Sequence, residues 1–94
     1  MNKEEILDFL KENKSLLEKK YNVKKIGLFG SFVNGSQKKT SDIDILVSMP
    51  SSFDNYYDLK EFLESGLNIK IDLGLENNLR EFIKNKVKEE IIYV

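Results

Sequence analysis

Residues 42–47 of this 94-residue chain read Asp-Ile-Asp-Ile-Leu-Val. Side chains alternate faces along a strand, so Ile43, Ile45 and Val47 fall on one side and Asp42, Asp44 and Leu46 on the other. Such a strand needs a sheet that packs one face into a core and holds two neighbouring carboxylates on the other. Carboxylates at that spacing repel unless something cationic lies between them. A hard divalent ion such as Mg²⁺, bound by carboxylate oxygens and substrate phosphates, suits the position. Upstream, residues 24–29 read as a short strand that ends at Gly30, and residues 31–36 as a helical turn closed by Gly35. Free backbone N–H groups at a helix start can hold a phosphate, and Gly30 lets the backbone approach it closely. Ser31 adds a hydroxyl and an N–H. Each motif alone has a plainer reading: solvated aspartates on a strand edge, and a serine that caps a turn. Together they point to phosphoryl or nucleotidyl transfer.

The rest of the chain supplies one small domain, residues 1–94. Residues 3–20 form an amphipathic helix, with Ile6, Phe9, Leu10, Leu16 and Leu17 near one stripe and a stop at Tyr21-Asn22. After Pro50-Ser51-Ser52, residues 56–65 form a second helix, buried through Tyr56, Leu59, Phe62 and Leu63, with Gly66 as its C′ residue. A third strand, 69–73, places Ile69, Ile71 and Leu73 on one face and Lys70 and Asp72 on the other. Asn78 is read as the cap of a third helix over 79–88, and 91–94 as a last edge strand. The expected architecture is α/β or α+β, a small mixed sheet with helices packed mainly on one face. Phe29 and Phe32 are expected in the core, and Tyr56 and Tyr57 as helix-packing residues. Tyr93 suits either the core or a partner contact.

Asp42, Asp44 and Asp72 are the candidate catalytic and metal-binding set. Three carboxylates on one face can hold two Mg²⁺ ions, and Asp72 can act as general base toward an acceptor hydroxyl. Composition narrows the chemistry further. The chain has no cysteine and no histidine, so zinc-thiolate sites, imidazole ligation and Ser-His catalysis are excluded. An oxygen-only donor set favours Mg²⁺ or Mn²⁺ over Zn²⁺. The net charge of −1 argues against a dedicated nucleic-acid binder, so direct nucleic-acid binding is not expected. No apolar run approaches the roughly 20 residues that span a bilayer. The opening Met-Asn-Lys-Glu-Glu is no signal peptide, which makes the cytoplasm the expected location.

Gly30-Ser31, ten residues, then Asp42-Ile43-Asp44 resembles the signature of the DNA polymerase β-like nucleotidyltransferase superfamily. At this length the chain is similar to the minimal nucleotidyltransferase (MNT) domains, many of which are antitoxins paired with a HEPN-domain toxin. The likeness extends to Ile69-Lys70-Ile71-Asp72-Leu73, to Leu79-Arg80-Glu81-Phe82-Ile83, and to Ile91-Ile92-Tyr93. It implies a polymerase β-like core in which Asp42 and Asp44 bind both metals and Asp72 serves the nucleophile. It also implies transfer of AMP from ATP to a tyrosine hydroxyl of a HEPN toxin. The chain departs from the family where many members read Gly-Ser-Arg-Ala-Arg-Gly: Phe32, Val33 and Asn34 stand there before Gly35. Lys38, Lys39 or Lys70 can substitute electrostatically, and Lys70, on the Asp72 face, joins Gly30 and Ser31 as a candidate nucleotide contact. The alternative is a non-catalytic antitoxin or scaffold that neutralises its partner by contact alone.

Overall fold

The computed structural model describes the backbone of residues 1–94 and the side chains of all except Glu81, Phe82, Ile83 and Lys86. Helix α1 (Lys3–Tyr21) starts at a capping box: Asn2 Oδ1 accepts from the Glu5 N–H (2.9 Å), and the Asn2 N–H donates to Glu5 Oε1 (3.2 Å). The reciprocal pair satisfies two donors that a helix start would otherwise leave open. Asn22, left-handed at φ 58°, ends the helix. Strand β1 (Lys25–Phe29) follows, then the short helix α2 (Ser31–Asn34), closed by left-handed Gly35. Strand β2 (Ile43–Ser48) leads through Pro50 to α3 (Phe53–Leu67), whose start is capped by Ser52. Strand β3 (Ile71–Leu75), a 3₁₀ turn (Glu76–Asn78), helix α4 (Glu81–Glu90) and the two-residue strand β4 (Ile92–Tyr93) complete the chain.

The sheet runs β3-β2-β1-β4. β1 lies antiparallel to both β2 and β4, whereas β2 and β3 are parallel and joined through α3. One face carries Ile26, Leu28, Ile43, Ile45, Val47, Ile71 and Leu73. These bury against Ile6, Leu10 and Leu17 of α1 and Leu59, Leu63 and Leu67 of α3, as the alternation in β2 requires. The opposite face carries Asp44, Leu46 and Gly74. Leu46 is buried there, and Leu79 comes down beside Gly74. Gly27 has no room for a side chain, since a Cβ would meet Ile91 at 2.7 Å. Among the described residues, no helix is long and apolar enough to cross a membrane.

Several local features differ from the sequence expectation. Leu16 is 41% exposed and lies outside the α1 stripe, because its neighbour Leu17 occupies the core position. α3 begins at Phe53 rather than Tyr56, since Ser52 is the capping residue. Gly66 is not the end of α3 but lies within it, where a Cβ would strike the Phe9 ring; left-handed Asn68 is the cap. Asn78 closes the 3₁₀ turn, and α4 starts after Arg80 with no side-chain cap. The side chains of Glu81, Phe82 and Ile83, part of the stretch that carries the family likeness, lie outside the described residues.

The outer edge of β3 is covered by α3. The Ile71 N–H donates to the Glu64 carboxylate (3.0 Å), and the Tyr56 hydroxyl donates to the Leu73 carbonyl (2.6 Å).

Candidate active site

Strand register assembles the carboxylates. Phe29 of β1 pairs with Asp44 of β2, and Asp44 with Asp72 of β3, so one row crosses three strands. Directly paired residues on adjacent strands put their side chains about 5 Å apart. Asp42, read from sequence as part of the strand, lies one residue before β2, and its charge reaches the Asp44 carboxyl. Asp42 and Asp44 are half-buried, and Asp72 is exposed.

The electrostatics follow from that row. The Asp44 carboxyl is pushed up to about 6, first by burial, then by the Asp72 charge and a hydrogen bond with Asp72, and last by Asp42. Burial disfavours the anion, and two neighbouring anions disfavour it further. A divalent cation between such groups would reverse that cost, and the oxygen-only donors match a hard ion. The residues present therefore fit Mg²⁺. Among the described residues no group of three acidic side chains is already drawn together around one point. Asp44 and Asp72 form a pair, and Asp42 stands beside it.

Gly30 lies against the row. It has φ +78°, which L side chains rarely adopt, and a Cβ at this position would collide with the Asp44 carboxylate. Only glycine lets the turn into α2 pass this close to the acid. The Gly30 carbonyl accepts from Val33 and Asn34 N–H groups (3.0 and 3.1 Å), and the Ser31 carbonyl from Gly35 and Ser36 (3.0 and 3.1 Å). Ser31, the first residue of α2, is half-buried. Lys70 is exposed just before β3, and its carbonyl accepts from the Ile43 N–H (3.0 Å). Phe32, which stands where many family members carry a cation, is buried in the core.

Tyr57, expected from sequence to pack its helix, is instead 51% exposed, and Phe53, not singled out from sequence, is 76% exposed. The two rings stack with centroids 4.7 Å apart, and Tyr57 meets Tyr56 edge-on. They rim a cavity of about 540 Å³ alongside β3. The available signal was Ser52 as a cap. With α3 started at Phe53, residues 53 and 57 lie well round the helix from the stripe of Leu59, Leu63 and Leu67.

A row of carboxylates against a backbone turn, on a small mixed sheet, is suited to handling phosphates, and it defines a nucleotidyl-transfer domain. The chain belongs to the nucleotidyltransferase domain family, whose model matches residues 3–94. It is 38% identical over 93 residues to the protein adenylyltransferase MntA of Thermococcus cleftensis, covering 97% of this chain and 94% of that protein. A solved structure described provisionally as a minimal nucleotidyltransferase superposes with TM-score 0.84 at 26% identity, over 98% of this chain and 95% of that one. A Shewanella oneidensis complex of a tri-AMPylated HEPN toxin with an MNT antitoxin matches with TM-score 0.62 at 25% identity, over 89% of this chain and 68% of the matched chain.

Proposed function

We propose that this chain transfers AMP from ATP to a tyrosine hydroxyl of a HEPN toxin, with Mg²⁺, and so acts as a cytoplasmic antitoxin. The observation that carries this reading is the row Asp44–Asp72 with Asp42 beside it and the Gly30 backbone against it. The Thermococcus relative is a protein adenylyltransferase, and the Shewanella antitoxin sits with a toxin that carries AMP. Both support the same activity here.

The roles follow from position. Gly30 and Ser31 receive the phosphates of ATP through backbone N–H groups and the serine hydroxyl, and Lys70 adds a positive charge from the β3 side. Asp42, Asp44 and Asp72 would hold the metal. Mg²⁺ bound there would neutralise phosphate charge and stabilise the departing pyrophosphate. Asp72, the exposed member, takes the proton of the acceptor hydroxyl. The acceptor oxygen bonds to the α-phosphorus, the bond from that phosphorus to the β-bridging oxygen breaks, and pyrophosphate leaves with the electron pair. The product is an AMP ester.

The test is label transfer. Purified chain, Mg²⁺ and ATP labelled on the α-phosphate are incubated with lysate of the source cell, beside an Asp42→Asn/Asp44→Asn control. The expected result is a labelled protein with the wild type alone. Equal labelling by the control would remove the carboxylates from the mechanism. One observation favours a contact-only antitoxin instead: Phe32 and its neighbours leave no cation just after Ser31. That reading expects a partner that co-purifies and no labelled species.

A further inference from the structure

The strands give the site a direction. Gly30 and Ser31 follow β1, Asp44 lies on β2 and Asp72 on β3, in the order in which those strands stand in the sheet. Transfer of a nucleotidyl group is an in-line displacement, so attacking and leaving oxygens stand on opposite sides of the phosphorus. A pyrophosphate held on the Gly30–Ser31 side obliges the acceptor to arrive across β3. The cavity of about 540 Å³ opens there, where β3 is the edge strand.

Its walls state what it takes. Phe53, Tyr56 and Tyr57 of α3 line it with Leu73 to Leu75 of β3, Asn78, Leu79, Ser51 and Ser52. The β3 part of the lining begins one residue after Asp72. Tyr56 is fixed by its 2.6 Å hydrogen bond to the Leu73 carbonyl, and burial together with the Tyr57 and Asp72 charges raises its pKa. Tyr56 thus ties the cavity wall to the strand that carries Asp72. Among the described residues, none that lines the cavity is charged. Such a lining suits neither triphosphate nor nucleic acid, which need cations, nor a polycationic aminoglycoside, which needs carboxylates. Exposed aromatic pairs of this kind anchor apolar protein segments.

Building on the adenylyl-transfer reading above, we infer that the groove lined by Phe53, Tyr57, Asn78 and Leu79 is the acceptor-docking site. Its occupant is a segment of the acceptor protein that places apolar side chains beside the hydroxyl to be modified. Phe53 and Tyr57 act as specificity residues, remote from the bonds that change.

The test uses the double variant Phe53→Ser/Tyr57→Ser, which alters only exposed side chains and leaves the core packing in place. Two quantities are measured for it and for the wild type: the rate of protein labelling from α-phosphate-labelled ATP over a dilution series of source-cell lysate, and the Tm shift produced by Mg²⁺ and ATP alone. The expected result is labelling at limiting acceptor that falls about ten-fold or more with the Tm shift intact. The conservative Phe53→Leu/Tyr57→Phe variant should recover most of the rate. Undiminished labelling by the double variant would discard the groove while leaving adenylyl transfer in place. Loss of the Tm shift would assign the groove to the nucleotide and overturn the inference. No protein labelled by the wild type would overturn both readings together.

Discussion

The two faces of β2 are made by alternate residues of one six-residue strand and behave as different materials. Ile43, Ile45 and Val47 have no exposed surface and lock the sheet to α1 and α3. Asp44, between them in sequence, is half-buried beside two other acids, with its carboxyl held at about 6. The packed face gains free energy from every apolar atom withdrawn from water. The acidic face gives some of it back, because like charges are gathered there. The comparison teaches that this small domain concentrates its unfavourable contacts where phosphate chemistry would use them, and carries them on a core only one layer away.

Four substitutions test that division, in descending order of expected effect. Ile45→Ala removes packed atoms from a fully buried position and should cost about 3 kcal/mol. Urea unfolding would show it, while transfer per folded molecule stays near the wild-type rate. A loss of transfer greater than the loss of folded protein would mean that the faces are not separable. Gly30→Ala should cost about 2 kcal/mol, from the unfavourable φ and the collision with Asp44. It should weaken ATP binding as well, and calorimetric titration showing wild-type affinity would count against the phosphate position.

Asp44→Asn should act in the opposite sense and stabilise the metal-free chain. An aspartate ordinarily titrates at 3.8, and here at about 6, so between those values the native state binds the proton that the unfolded chain has released. The Asp44 contribution to stability is therefore most favourable below about pH 4 and is lost as pH rises to about 6. The asparagine variant escapes that decline. Its advantage at pH 7 should be about 1 kcal/mol, small because a half-exposed group is screened by solvent, and it should vanish below pH 4. Label transfer should be lost in the same variant. Unfolding curves at pH 4 and pH 7 that show the same difference between the two chains would sink this account. The smallest effect belongs to Tyr56→Phe, at the seam between the faces. Loss of its bond to the Leu73 carbonyl should lower stability by at most about 1 kcal/mol. A Tm equal to the wild type would place Tyr56 outside the group that holds β3.

Much of this was legible in the sequence because period-two alternation is a strong signal over a short strand. Ile43, Ile45 and Val47 announced the packed face, and Asp42 and Asp44 the other. Asp72 fell opposite Asp44 although β3 starts two residues later than the pattern suggested, because a two-residue difference preserves the face. Helix ends were less legible. Gly66 looked like a terminus, but its missing side chain answers to Phe9 on another helix. That is a tertiary cause with no local trace. Asn68 took the left-handed position instead, as asparagine can. The aromatic groove was hidden for a related reason: Phe53, Tyr56 and Tyr57 look alike in sequence, and only the start of α3 decides which of them turns inward.

The cover over the outer edge of β3 governs how copies of this chain meet one another. A bare edge strand invites a neighbour to continue the sheet, which is the first step of many aggregates. Here the Ile71 N–H and the Leu73 carbonyl are already engaged by Glu64 and Tyr56. A second molecule that arrives at this edge must break two hydrogen bonds before it can form its own. The chain can therefore be crowded without stacking strand on strand along this edge.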